Sequence, residues 1–192
     1  MSVCGDVVGA PGDVARWSVA KGCPDGVSVS STGNVVIAVR DNGYLVIYTP
    51  TGQLAKEIKL PSELVSPRHA FQLENDQFLL CHGWGKSAYG IYVVDAEGRT
   101  VRSSSAAATE GLPARKCFTP THMVLDRHGK VIVAEFSGNT VQMYSKQLEY
   151  MGDVVAQSAG LKVPFRLCLD HATGRLYVGE YTGGARVLVF GK

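Results

Sequence analysis

The chain has 192 residues, a formal charge of +2 and 45% hydrophobic residues, enough for a full core and too near neutral to demand a nucleic acid. No run approaches the roughly 18 apolar residues of a membrane helix, and the start, MSVCGDVVGAPGDVARW, lacks a signal-peptide pattern. The five cysteines, Cys4, Cys23, Cys81, Cys117 and Cys168, are odd in number and form no C-x-x-C pair, so free thiols in a reducing, cytoplasmic setting are expected.

In chain order, the first strand-like segment is GDVARWSVAKG, residues 12–22. Four units follow, each opened by a proline: Pro24, Pro67, Pro120 and Pro164, at spacings of 43, 53 and 44 residues. That period is the length of a four-stranded propeller blade. In each unit a first strand leads through a polar turn (SSTGN, ENDQ, DRHGK, DHATGR) to an apolar second strand (VVIAV, FLLC, VIVAE, LYVGE). A glycine-containing turn and a third strand come next (LVIY, IYVV, VQMY, VLVF), and in the first three units a more polar fourth (QLAKEIKL, RTVRSSS, EYMGDVV). Cys81 and Cys168 lie in apolar strands and read as core filler.

The fold class predicted is all-β: one β-propeller domain over 1–192 with about four blades of four antiparallel strands, the units being 24–66, 67–119, 120–163 and 164–192. The last unit lacks its outer strand, and residues 11–21 are expected to supply it by closing the ring, which would also hide the edge of Val187–Phe190. An open arc, or one completed by another chain as a homo-oligomer, fits the same pattern.

Gly85-Lys86-Ser87 resembles the end of a phosphate-binding loop, but Leu80 stands where that loop needs glycine and a strand, not a helix, follows. The turn glycines there, and Gly138 in the third unit, are expected to supply positive φ.

The third unit, with Pro120, Ala134-Glu135, Gly138-Asn139 and Tyr144, resembles an NHL repeat, and the fourth is similar through Pro164, Gly179-Glu180, Gly183 and Phe190. The resemblance implies a propeller of the kind carried by tripartite-motif proteins, which bind RNA or protein.

Stacking equivalent positions gives two sets at one mouth of the channel. Gly26, His69, His122 and Arg166 lie two residues after each proline, and Val39, His82, Glu135 and Glu180 end the second strands. The expected pairs are His69 with His82, His122 with Glu135, and Arg166 with Glu180. The preferred reading is a non-catalytic module without cofactor, binding a protein or single-stranded RNA through Arg40, Arg68, His69, Lys86, Arg115, Lys116, His122 and Arg166. Trp84, Phe118 and Phe165 lie near these cations, while Glu74, Asp76, Asp95, Glu97, Asp126 and Asp170 fall in the opposite turns. The alternatives are a metal-dependent lyase or hydrolase using His69, His82 and His122, and a self-associating propeller fragment.

Overall fold

The computed structural model describes residues 19, 22–64, 66–83, 89–104, 119–181 and 186–191. Among the described residues fifteen strands form, all in antiparallel sheets, with three short 3-10 turns between them. Blade 1 is β1 (Pro24–Val29), β2 (Val35–Val39), β3 (Tyr44–Tyr48) and β4 (Leu54–Lys59). Blade 2 is β5 (Pro67–Gln72), β6 (Phe78–His82), β7 (Gly90–Val94) and β8 (Thr100–Ser103). Blade 3 is β9 (Pro120–Leu125), β10 (Val131–Glu135), β11 (Thr140–Tyr144) and β12 (Tyr150–Val155), and blade 4 is β13 (Pro164–Asp170), β14 (Arg175–Glu180) and β15 (Val187–Phe190). Each sheet runs in simple up-and-down order, so the architecture is the four-bladed propeller the repeat predicts. Residues 11–18, proposed as the closing strand, lie outside the described residues.

The two-residue period of the strands makes the blades adhere. Val36 and Ala38 of β2, with Leu45 and Ile47 of β3, face blade 2 and meet Ala70, Phe78, Leu80, Tyr92 and Val94. The other parity of blade 2, Leu79, Cys81, Ile91 and Val93, meets Met123, Val131, Val133 and Tyr144 of blade 3. Ile132, Ala134, Val141 and Val155 then meet Leu167, Leu176 and Val178 of blade 4. Inner strands are therefore apolar on both faces, whereas β4 exposes all but Ile58.

Between blades 4 and 1 no shared core forms among the described residues: Ile37, Val39, Val46 and Tyr48 on the far face of blade 1 are buried with Val19 rather than against blade 4. Val27 and Val29 on the far face of blade 1 are 61% and 66% exposed, and Val187 and Val189 on the far face of blade 4 are 67% and 53% exposed. Cys168 shares that face and is exposed, correcting its reading as core filler, while Cys81 is buried and its thiol is pushed up to about 12 by burial. No helix among the described residues is long and apolar enough to cross a membrane.

Candidate functional site

The register contains one irregularity that recurs in every blade. Proline pairs with the last residue of the second strand (Pro24 with Val39, Pro67 with His82, Pro120 with Glu135, Pro164 with Glu180), and the next residue to pair lies two further on. Asp25, Arg68, Thr121 and Phe165 are thus extra residues of a β-bulge, which re-aims side chains where a straight strand would alternate them. The partners of His69, His122 and Arg166 across the sheet are Cys81, Ala134 and Gly179. The three expected pairs are therefore each one residue out of register.

The bulge residues and their successors meet in the channel. Arg68 is buried and salt-bridged to Asp25, which Arg166 also approaches at 3.6 Å. The Arg166 guanidinium lies over the Phe165 ring at 4.2 Å, and Phe165 packs against Tyr181 at 5.1 Å. One carboxylate between two guanidiniums leaves net positive charge at this mouth. Arg166 is half exposed and Tyr181 exposed, so the accessible part is a cation with two aromatic rings.

Below this cluster His69 and His122 stack, ring centroids 4.0 Å apart and planes inclined by 19°. His69 Nε2 donates to the Val27 carbonyl at 3.2 Å, which puts the lone pair on Nδ1, and Nδ1 is buried without a hydrogen-bond partner. His122 Nδ1 accepts the Leu167 N–H at 3.3 Å. Burial is the main force lowering both: His69 falls to about 4, helped by Arg166, and His122 to about 2, helped by His69 and Arg166. Both rings are neutral at pH 7. Gly26 completes the set because nothing larger fits: a Cβ there would lie 2.3 Å from the Arg68 carbonyl oxygen and 2.8 Å from His69 Cδ2.

The second-strand ends do different work. Glu135 is buried and accepts backbone N–H bonds from Thr119 (2.7 Å), Ser137 (3.2 Å) and Gly138. Glu180 accepts the Lys162 N–H and a two-nitrogen contact from Arg186 at 2.7 Å. These carboxylates tie the loop entering each blade to its second-to-third-strand turn and are not part of a ring of ligands. His82 takes the same position, buried, in β6. No group of three or more His, Cys, Asp or Glu among the described residues is placed to hold a metal ion, so His69, His82 and His122 do not converge on one.

Of the eight residues proposed for partner binding, the channel gathers Arg68, His69, His122 and Arg166, but only Arg166 offers its charge to solvent. Arg40 lies away from them, beside Asp41 at 3.5 Å and the Cys23 thiol. Lys86, Arg115 and Lys116, like Trp84 and Phe118, lie outside the described residues. On the opposite face, Asp95, Asp126 and Asp170 each take up N–H groups of their own turns. Sequence reasoning missed Asp25 as a member of this site. Its place directly after the proline, like that of Arg68, was the available signal.

Residues 4–77 match the family model described as SMP-30/Gluconolactonase/LRE-like region. The comparisons support a propeller but not the expected likeness to NHL repeats and tripartite-motif proteins. Among curated proteins none matches the chain. Solved structures similar in fold include a streptogramin B lyase (12% identity, TM-score 0.63, 91% of this chain and 57% of that one). A catalytically inactive virginiamycin B lyase from Staphylococcus aureus with quinupristin is similar at 15% identity and TM-score 0.60 (87% and 55%). A putative gluconolactonase is similar at 15% identity and TM-score 0.61 (86% and 59%). The chain thus spans less than two thirds of the length of these propellers.

Proposed function

We propose that this propeller is a lactonase-type enzyme that opens a small cyclic ester at the Arg166 mouth of its channel. The observation that carries the reading is the stacked, neutral His69–His122 pair, with Nδ1 of His69 unengaged and both rings within the field of the Arg166 cation. The family match over residues 4–77 and the lyase and gluconolactonase neighbours favour an enzyme over a pure scaffold.

In this mechanism entry of the substrate beside Arg166 first uncovers His69 Nδ1, which is buried in the free protein, and Nδ1 then takes a proton from water as the oxygen bonds to the acyl carbon. Arg166 faces the oxyanion that develops on the carbonyl oxygen. The ring C–O bond then breaks, and the imidazolium returns its proton to the leaving alkoxide. His122, stacked on His69, holds the ring in place. A base whose pKa is near 4 is free of proton throughout the neutral range, so the rate should be flat from pH 8 to about 5 and fall below pH 4.

The test is consumption of glucono-1,5-lactone in a pH-stat near pH 6, with thermal melting as a folding control. His69→Gln should lose most of the rate above the buffer background and Arg166→Met a smaller share. Wild-type protein that adds nothing to the background would sink the reading. A second reading, binding of a protein or single-stranded RNA, is favoured by exposed Tyr181 beside Phe165 and Arg166. Anisotropy of a labelled RNA, expected to fall on adding Arg166→Glu, tests it. Failure of an RNA and of an acidic peptide to bind removes it.

A further inference from the structure

The opposite mouth of the channel opens into a cavity of about 920 Å³ to which all four blades contribute. Its apolar wall comes from the far ends of the first strands: Val29, Phe71, Val124, Leu125, Leu167 and Leu169. Phe71 meets the His69 ring edge-on with centroids 4.7 Å apart, so the cavity lies one aromatic layer below the histidine pair. The histidines therefore separate two compartments, and the lower one takes no part in the chemistry proposed above.

Three features define what would fill it. Arg102, Lys146 and His171 line it, with Glu74 the only carboxylate among the lining residues. Gln72 also lines it, and its Oε1 is buried without a hydrogen-bond partner, while its Nε2 bonds Asp76 at 3.4 Å. A buried acceptor left unpaired costs stability that a donor on a ligand would recover. Beside Gln72, Asn75 and Asp76 both adopt left-handed backbone, φ 59° and 54°, holding a tight loop at the rim. Volume, apolar wall, cationic rim and orphan acceptor together describe a small-molecule pocket.

We infer that this cavity binds an amphipathic organic anion: an apolar body against Phe71, Val124 and Leu167, an acidic group toward Arg102 and Lys146, and an N–H or O–H donor to Gln72 Oε1. Cys168 lines the same cavity and is exposed, which supplies a chemical reporter.

The probe is 8-anilinonaphthalene-1-sulfonate, which has an apolar body, an anionic group and an N–H. Titration of the full chain should give one saturable site by fluorescence. Bound probe should slow alkylation of Cys168 by N-ethylmaleimide, followed by peptide mass spectrometry. Arg102→Glu with Lys146→Glu, both on exposed side chains, should weaken binding about tenfold, and Gln72→Leu should weaken it by a smaller factor. A probe that binds with unchanged affinity in the charge-reversed variant overturns the inference, since it would then be sitting on the exposed valines between blades 1 and 4, which also shield Cys168. An unchanged alkylation rate of Cys168 overturns it too, since the probe would then lie outside this cavity. No saturable binding to the wild-type chain overturns it as well. Lactone turnover at the other mouth is a separate readout and is expected to persist in both variants.

Discussion

Arg68 and Arg166 carry the same charge to the same carboxylate and are predicted to matter in opposite ways. Arg68 is buried against Asp25, so Arg68→Met leaves a buried carboxylate short of its partner and should cost about 3 kcal/mol in urea unfolding. Arg166 is 42% exposed, and Arg166→Met should cost under about 1 kcal/mol while changing what the mouth binds. Equal losses in the two variants would mean that burial does not set their roles. Arg68, read from the sequence as a partner-binding cation, is thus a folding residue. The histidine pair gives a pH dependence with a definite sign. In the unfolded chain both take up protons near pH 6.5; in the folded chain His69 stays neutral to about 4 and His122 to about 2. Stability is therefore complete above pH 6.5 and falls as the pH drops, by on the order of 3 kcal/mol at pH 4 through His69 alone. Arg166 near the rings steepens this and Asp25 opposes it. Urea midpoints at pH 7 and 4.5 measure the loss, and His69→Gln with His122→Gln should flatten it.

At the scale of elements, the blade is held by fasteners that the repeat hides in plain sight. Glu135 collects three N–H groups from the two ends of its loop system, so Glu135→Ala should orphan them and cost about 2–3 kcal/mol. A thermal midpoint within a degree of wild type would place the tie elsewhere. The neighbouring turn corrects an expectation: Gly138 is not the left-handed residue, Asn139 is, at φ 53°. Asn139 also accepts the Val163 N–H at 2.6 Å through Oδ1, linking blade 3 to the loop entering blade 4. Asn139→Gly keeps the backbone freedom and loses the bond, whereas Asn139→Val loses both and should be the worse by about 1 kcal/mol. Much of this level was legible in advance. Proline opened every blade at the predicted residue, and the third strands ended at Tyr48, Val94, Tyr144 and Phe190 as read. The cross-strand pairs were not legible, because a bulge adds one residue without any change in hydrophobic alternation around it.

For the whole molecule, the decisive feature is that blades 4 and 1 share no apolar core among the described residues. Asp25 and Arg166 hold the two blades together at the channel, while the valines further along stay in solvent. Alternation along β15 turns this into a test. Val187→Thr with Val189→Thr should change stability by no more than about 0.5 kcal/mol, whereas Leu188→Ala, whose side chain packs on blade 3, should cost about 2 kcal/mol. Equal effects would mean that the far face of blade 4 is covered. The sequence by itself determined the blade period, the strand order and the parity of the cores, because a two-residue alternation repeated at fixed spacing has one way to bury itself. Only the tertiary structure decided what the channel contains. The bulge after each proline set the register, and proximity across the ring, absent from any local pattern, brought Asp25 between two arginines 43 and 141 residues away and stacked His69 on His122.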